Sequence, residues 1–533
     1  MVDNSKGPAA QPAHTETGRS AFLVASGIFL SRLAGLVRES AIAGFFGISP
    51  VADAFRAAMR IPNFLSNLFG EGVLSASFIP VYAKLIAQDD EQEAGRVAGV
   101  ILSLLALVTS VMVLLGVFAT PYFIDVIAGG FKGQTRELAI HLVKIFFPAA
   151  GLMVLSAWCL GVLNSHRKFF LSYVSPVIWN AAIIVALLAF GRHTEIPRLA
   201  AYAAWGSVVG SALQFFIQLP IVLRLVPKLR LTLSIANQNV RMVIRNFGPV
   251  FVSRGVVQLS GYIDTFLASY LPAGALAALS NAQNLYLLPI GLFGMSVSVA
   301  ELPAMSSTLG NEQEIAAALG RRIESSTRRI GFFVVPSAIA FLALGDVVAG
   351  AIFQVGRFTH SDAIYVWGIL AGSAVGLVAS TVGRLYNSAY YALRDTRTPL
   401  RFAIVRVTLT TVLGFLFAWP LPHLLGIDLR WGAAGLTASA GIAAWIEFLL
   451  LRSGMERRIG RIPAPAVYLA KLWLCAVVGA AAGWGVKLWL HPSNPRLAAV
   501  LILIPYGLVY LGLTAAIGID QTQNLLRRFK RAK

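Results

Sequence analysis

The sequence predicts an all-α, multi-pass membrane protein, and three observations carry that expectation. Apolar runs long enough to cross a bilayer, about 20 residues each, recur from one end of the 533 residues to the other. Only 13% of residues are charged and 57% are hydrophobic, where a soluble domain has roughly 25% charged; mean hydropathy is +0.72. Basic residues are also distributed unevenly between alternate loops. The apolar runs give about fourteen transmembrane helices, starting near residues 21, 51, 97, 136, 169, 199, 244, 274, 328, 362, 398, 428, 466 and 496. No stretch is left over for a globular domain.

The net charge of +20 would point to nucleic acid in a soluble protein. Here the basic residues crowd the loops after even-numbered spans, as in Arg224, Lys228 and Arg230, or Arg452, Arg457, Arg458 and Arg461. They are sparse after odd-numbered spans, where Lys132, Arg192, Arg357 and Arg430 stand apart. By the positive-inside rule both termini are cytoplasmic. The excess is therefore a topology signal and a contact for anionic membrane lipids, and no nucleic-acid role is expected. Residues 1–20 are polar, lack the apolar core of a secretory signal and read as a disordered cytoplasmic tail. Cys159 and Cys475 fall in apolar runs without metal-ligand spacing, so they read as packing residues, with no metal site.

Sliding the chain against itself by about 223 residues aligns its punctuation. FLSR ending at Arg32 meets FVSR ending at Arg254, Leu68-Phe69-Gly70 meets Leu292-Phe293-Gly294, Ile79-Pro80 meets Leu302-Pro303, and Asn164-Ser165 meets Asn387-Ser388. A shared offset in chain order predicts a duplication. Six spans per unit is an even number, so both halves enter the membrane from the same side, as parallel repeats do. The expected organisation is two pseudo-symmetric six-helix lobes, residues 21–226 and 244–455, joined by a basic cytoplasmic linker at 227–243. Two extra C-terminal helices span 462–520, and a basic cytoplasmic tail covers 521–533.

An ionised side chain at mid-membrane costs about 2.5 to 3.5 kcal/mol on insertion scales, so it normally faces a wet cavity or a partner. Span one carries Arg32, Arg38 and Glu39 within SRLAGLVRES, and span two carries Asp53, Arg56 and Arg60 at spacings of three and four. Those spacings place the three on one helix face, where Asp53 can pair with Arg56. Pro62 is expected to break or bend span two, with Glu71 in the polar turn that follows. The second half contributes Arg254 and Asp264 in span seven, then Asn281, Gln283 and Asn284 ahead of Pro289. A guanidinium stays charged and offers a planar fork to phosphate oxygens, so this cationic set suits a buried phosphoanion. Glu301, Asp346, Arg406 and Glu447 read as interlobe pairs or ion ligands. No nucleophile-base pair, metal cluster or phosphate-binding glycine loop is present in the sequence, so no catalytic residue and no cofactor is expected.

The blocks SRLAGLVRESAIAGFFG and ADAFRAAMRIPNFLSNLFGEGVLSASFIPVYAKL, followed by IFQVGRFTHSDA, resemble the signature segments of the MurJ/MviN lipid II flippase family. The resemblance runs from about residue 20 to residue 520. It implies the multidrug/oligosaccharidyl-lipid/polysaccharide exporter fold and a non-enzymatic transporter of the bacterial inner membrane. The implied substrate is lipid II or a similar polyprenyl-pyrophosphate glycolipid, moved from the cytoplasmic to the periplasmic leaflet by alternating access, with other cell-wall synthesis proteins as partners. It places the family's two essential span-one arginines on Arg32 and Arg38, its span-two aspartate on Asp53 and its FGEG-type acidic residue on Glu71. Three positions depart from the family pattern: Ser66 and Asn284 each replace an arginine, and Leu287 replaces a glutamate. Arg254 is the expected stand-in for the arginine missing at Asn284. The alternatives are a flippase for another polyprenyl-linked oligosaccharide and a cation-coupled small-molecule exporter.

Overall fold

A computed structural model describes residues 14–69, 71–307, 311–463, 465–490 and 492–531. Among these the chain is helical with short turns, and no strand occurs. The long helices are α1 (His14–Phe46), α2 (Pro50–Phe69), α3 (Glu91–Ile127), α4 (Gly133–Ser165), α5 (Phe169–Phe190), α6 (Ile196–Leu225) and α7 (Gln238–Ser269). They continue with α8 (Ala275–Ser306), α9 (Glu312–Ala343), the bent pair α10 (His360–Ala374 and Leu377–Ala392) and α11 (Arg397–Ala418). The last three are α12 (Gly432–Ile459), α13 (Ala466–Leu490) and α14 (Pro495–Ala516).

Ten of these are long and apolar enough to cross a membrane, and α10, bent by 44° at its break, makes eleven as one span. The other three, α1, α2 and α7, are the helices that bear the intramembrane charges of the first two spans and of span seven singled out above. At 1.5 Å per residue, even the 20 residues of α2 reach about 30 Å. Together they match the fourteen expected spans, and the protein is an all-α, multi-pass membrane protein. Of the two outcomes expected at Pro62, a break does not occur. Helix α2 is not broken at Pro62 but runs on to Phe69, because a membrane helix can lose one backbone hydrogen bond to a proline without unwinding.

The chain forms two compact units. One comprises the residues up to Arg38, Ala58–Phe123 and Leu138–Leu259; the other comprises Glu39–Ala57, Ile124–Glu137 and Ser260 onward. The first unit is centred on Phe78, Tyr82, Val97, Trp158 and Leu163, all buried, with Cys159 among them. Its interior also holds a polar chain. Gln214 donates to Ser156 Oγ at 2.9 Å, Ser156 to Gln218 Oε1 at 3.2 Å, and Gln218 to Ser175 Oγ. This links α4, α5 and α6 through groups that have no water to turn to. Helices α5 and α6 approach closely over Gly206 and Gly210, where an added Cβ would come within 2.8 Å of Ala186 Cβ and 2.9 Å of Ala182 Cβ.

In the second unit, prolines and breaks free backbone carbonyls that long aromatic side chains then satisfy. Pro336 has no N–H for the carbonyl of Phe332, and the Tyr510 hydroxyl donates to that oxygen at 2.7 Å. Tyr506 donates to Pro336 O at 2.6 Å, so α14 is fastened to α9. At the break of α10, Trp445 Nε1 donates to Val375 O at 2.8 Å. Cys475 is buried in α13 and, like Cys159, is a free thiol.

Candidate functional site

The charged stretch at the end of α1 and the start of α2 is built around two acidic side chains, each with a different kind of partner. Gly47, at φ +62, turns the chain between the helices. Ser49 then accepts the amide of Ala52 at 3.2 Å, starting α2. One turn later Asp53, 5% exposed, accepts the backbone amide of Gly274 at 2.6 Å on one carboxylate oxygen and that of Ala277 at 2.7 Å on the other. These are N-terminal amides of α8, which carry no partner inside the helix and sit at the positive end of its dipole. Asp53 is therefore an N-cap contributed from another helix. Gly274 itself has φ +91, and a Cβ there would meet Ile48 Cγ2 at 2.3 Å, so a glycine is required at the position the carboxylate caps.

The expected Asp53–Arg56 pair does not form, because the aspartate is occupied by these amides. Arg56, also 5% exposed, instead forms an ion pair with the buried Glu39. Its second terminal nitrogen donates to Asn281 Oδ1 at 2.9 Å, and Asn284 Nδ2 donates to Glu39 Oε2 at 2.9 Å. Asn281 and Asn284 lie three residues apart and so share a face of α8. The result is a network of four side chains in which the charges of Glu39 and Arg56 offset each other. A buried pair retains its charge only when the remaining polar atoms are also satisfied, and the two amides do that here.

Arg38 belongs to the first unit. Its guanidinium lies over the Trp179 ring at 4.6 Å, and Trp179 Nε1 donates to Ser207 Oγ at 2.9 Å, which fixes the indole. A cation over an indole face is attracted by the ring's quadrupole, which holds Arg38 against Trp179. Arg32 is exposed, whereas Arg60 and Asp264 are half-buried. The side chains of Arg254, Glu71 and Ser66 lie outside the described residues. Thus the structure brings Glu39, Arg56, Asn281 and Asn284 together, places Asp53 beside them on the same helix end, and sets Arg38 on an aromatic platform of its own.

The remaining intramembrane charges correct an expectation. They pair inside the second unit and are not interlobe pairs: Glu301 with Arg322 at 3.3 Å, Arg406 with Glu447 at 2.9 Å, and Asp346 with Lys487 at 2.5 Å. Lys487 also lies 4.7 Å over Trp484. Two side chains that support Arg38, Trp179 and Ser207, are not singled out by the sequence. Nothing in their local pattern distinguishes them from packing residues, since what matters is the arginine that reaches them from α1.

Comparison with known proteins fits this geometry to a family. The sequence profile of the lipid II flippase MurJ family matches residues 42–509. A lipid II flippase MurJ from Burkholderia cenocepacia is 31% identical over 455 residues, 84% of this chain and 85% of the relative. A probable lipid II flippase MurJ from Rhizobium tropici is 32% identical over 448 residues, 82% of this chain and 80% of the relative. Among solved structures, a lipid II flippase MurJ in an inward closed conformation has a TM-score of 0.77 at 24% identity, covering 94% of this chain and 99% of its own. An inward-facing multidrug resistance MATE family transporter has a TM-score of 0.61 at 18% identity, covering 82% and 98%. These two likenesses concern the fold.

Proposed function

The chain belongs to the lipid II flippase MurJ family, and from that premise we propose that it carries lipid II, the undecaprenyl-pyrophosphate-linked peptidoglycan precursor, from the cytoplasmic to the periplasmic leaflet by alternating access. The observation that carries the reading is the family match across residues 42–509, which includes Arg56, Asn281 and Asn284 of the charged network. The reading assigns no bond-making step. Lipid II needs its diphosphate and sugars escorted past hydrocarbon while the polyprenyl tail stays in lipid, so the protein must supply cations where a bilayer supplies none.

In this reading Arg32 and Arg38 contact the diphosphate. Arg38 is the better anchored, because its guanidinium is held against the Trp179 ring. Arg254 is the third contact. Asn284 is committed to Glu39, so its role is to keep the Glu39–Arg56 pair neutral and in place. Asp53, capping α8, joins the start of α2 to the start of α8 and would make or release those hydrogen bonds as the transporter changes state. The protein resides in the bacterial inner membrane with both termini in the cytoplasm, organised as two six-helix lobes with two extra helices. Anionic lipids meet its basic loops, and proteins of cell-wall synthesis are its partners.

The test is complementation of a conditional flippase-depleted bacterium. The wild-type chain is expected to restore growth and shape, and Arg32→Ala to fail at equal membrane abundance. Failure of the wild type would overturn the reading.

A further inference from the structure

We propose that the second unit contains an anion site of its own, formed by Arg384 and Arg406, which takes the diphosphate group of the carried lipid. The proposal rests on the flippase reading above and deepens it by assigning residues. Arg384 lies in the second half of α10 and Arg406 in α11, on either side of the turn at Asp395. Each is eleven residues from that aspartate, so the two stand at similar depth, about 15 Å up their helices. That is too deep for either guanidinium to reach the aqueous end where Arg394, Arg397 and Arg401 gather.

Charge balance at this level is incomplete. Arg406 pairs with the buried Glu447 at 2.9 Å. Arg384 lies within electrostatic reach of Arg406, Tyr286 and Glu447, is exposed, and makes no hydrogen bond or ion pair among the described residues. One carboxylate thus pairs with Arg406 while the exposed Arg384, on the neighbouring helix, carries a second positive charge that an anion can meet. Neutral donors stand beside them. Ser380, one turn before Arg384 on the same face, accepts the Tyr286 hydroxyl at 3.1 Å and keeps its own proton to donate. A second cation for one phosphate, a fork already anchored by a carboxylate, and a hydroxyl between helices match the many oxygens of a diphosphate better than a compact monoanion.

The probe is inorganic pyrophosphate, titrated against the thermal stability of the purified full chain in detergent. Orthophosphate at equal ionic strength and phosphatidylglycerol mixed micelles serve as comparators. Pyrophosphate is expected to raise the melting midpoint of the wild type, and Arg384→Gln to weaken its apparent affinity about tenfold, the size of one charge-assisted contact. Arg384→Lys should retain most of the response, and Arg461→Gln all of it. Should Arg384→Gln fail to fold, Ser380→Ala gives the same reading with a smaller loss. The site is overturned if the wild type does not respond to pyrophosphate, if both Arg384→Gln and Ser380→Ala respond as the wild type does, or if phosphatidylglycerol acts through Arg384 where pyrophosphate does not. Complementation by the wild type is scored separately. A chain that binds pyrophosphate through Arg384 but does not complement supports this site and sinks the flippase reading, whereas complementation with an unaltered Arg384→Gln titration sinks the site and leaves that reading standing.

Discussion

The carboxylate of Asp53 accepts the amide of Gly274, 221 residues away, at 2.6 Å, and so caps α8 from the first turn of α2. A cap of this kind satisfies amides that have no other partner and sets a negative charge against the positive end of the helix dipole. Asp53→Ala is expected to cost about 1 to 3 kcal/mol, since two buried amides are left unsatisfied. Asp53→Asn should recover part of the loss, as an amide oxygen can accept one of the two bonds but without charge. Thermal melts of the purified protein in detergent measure both, and equal midpoints for Asp53→Ala and the wild type would contradict the capping role.

The Glu39–Arg56 pair makes a non-additive prediction. Removing one partner strands a charge in a dry site, at about 3 to 5 kcal/mol, while removing both strands none. Glu39→Gln and Arg56→Gln should therefore each destabilise strongly, and the double variant should melt above the sum of the two losses. A double-mutant cycle read by thermal unfolding reports the coupling. Additive losses would mean that the pair does not act as a unit.

What could be read from the sequence follows from how local each signal is. The fourteen spans were legible because hydropathy is written residue by residue over about 20 positions, and the charges of α1 and α2 stood out against that background. Partners were not legible. The spacing of Asp53 and Arg56 suggested a pair along one helix, yet backbone amides from Gly274 and Ala277 take the aspartate. Backbone donors leave no mark in sequence, although Gly274, the glycine directly before α8, was an available hint. Likewise Asp346 and Glu447 were visible as misplaced acids, but Lys487 and Arg406, their partners, are fixed by packing within the second unit.

Close packing of α5 on α6 gives a third expectation. Gly206 and Gly210 form a small-residue stripe at four-residue spacing, a pattern that lets membrane helices approach until backbones touch. A Cβ on Gly210 would lie 3.0 Å from the Trp179 Cα as well as against Ala182. Gly210→Val should force the helices apart at about 1 to 3 kcal/mol, the usual cost of overpacking. Because Trp179 carries the Arg38 guanidinium, the same change should impair complementation more than an equally destabilising change in α13. A Gly210→Val chain with normal melting would show that the interface tolerates a side chain.

The last prediction concerns pH. His166 follows the end of α4, and its Nε2 lies 3.1 Å from the Tyr82 hydroxyl. Burial, with a smaller contribution from Lys168, holds its imidazole below the ordinary value of 6.5. A depressed value means that the unfolded chain binds this proton at a higher pH than the folded one. The stability contributed by neutral His166 is therefore complete above about pH 6.5 and declines as pH falls through that value toward the lowered one. The wild-type melting midpoint should drop between about pH 7.5 and about pH 5.5, and His166→Gln, which can still accept from Tyr82 but does not titrate, should show a shallower decline at the same ionic strength. Parallel profiles for the two proteins would assign the pH dependence to other groups and remove His166 from it.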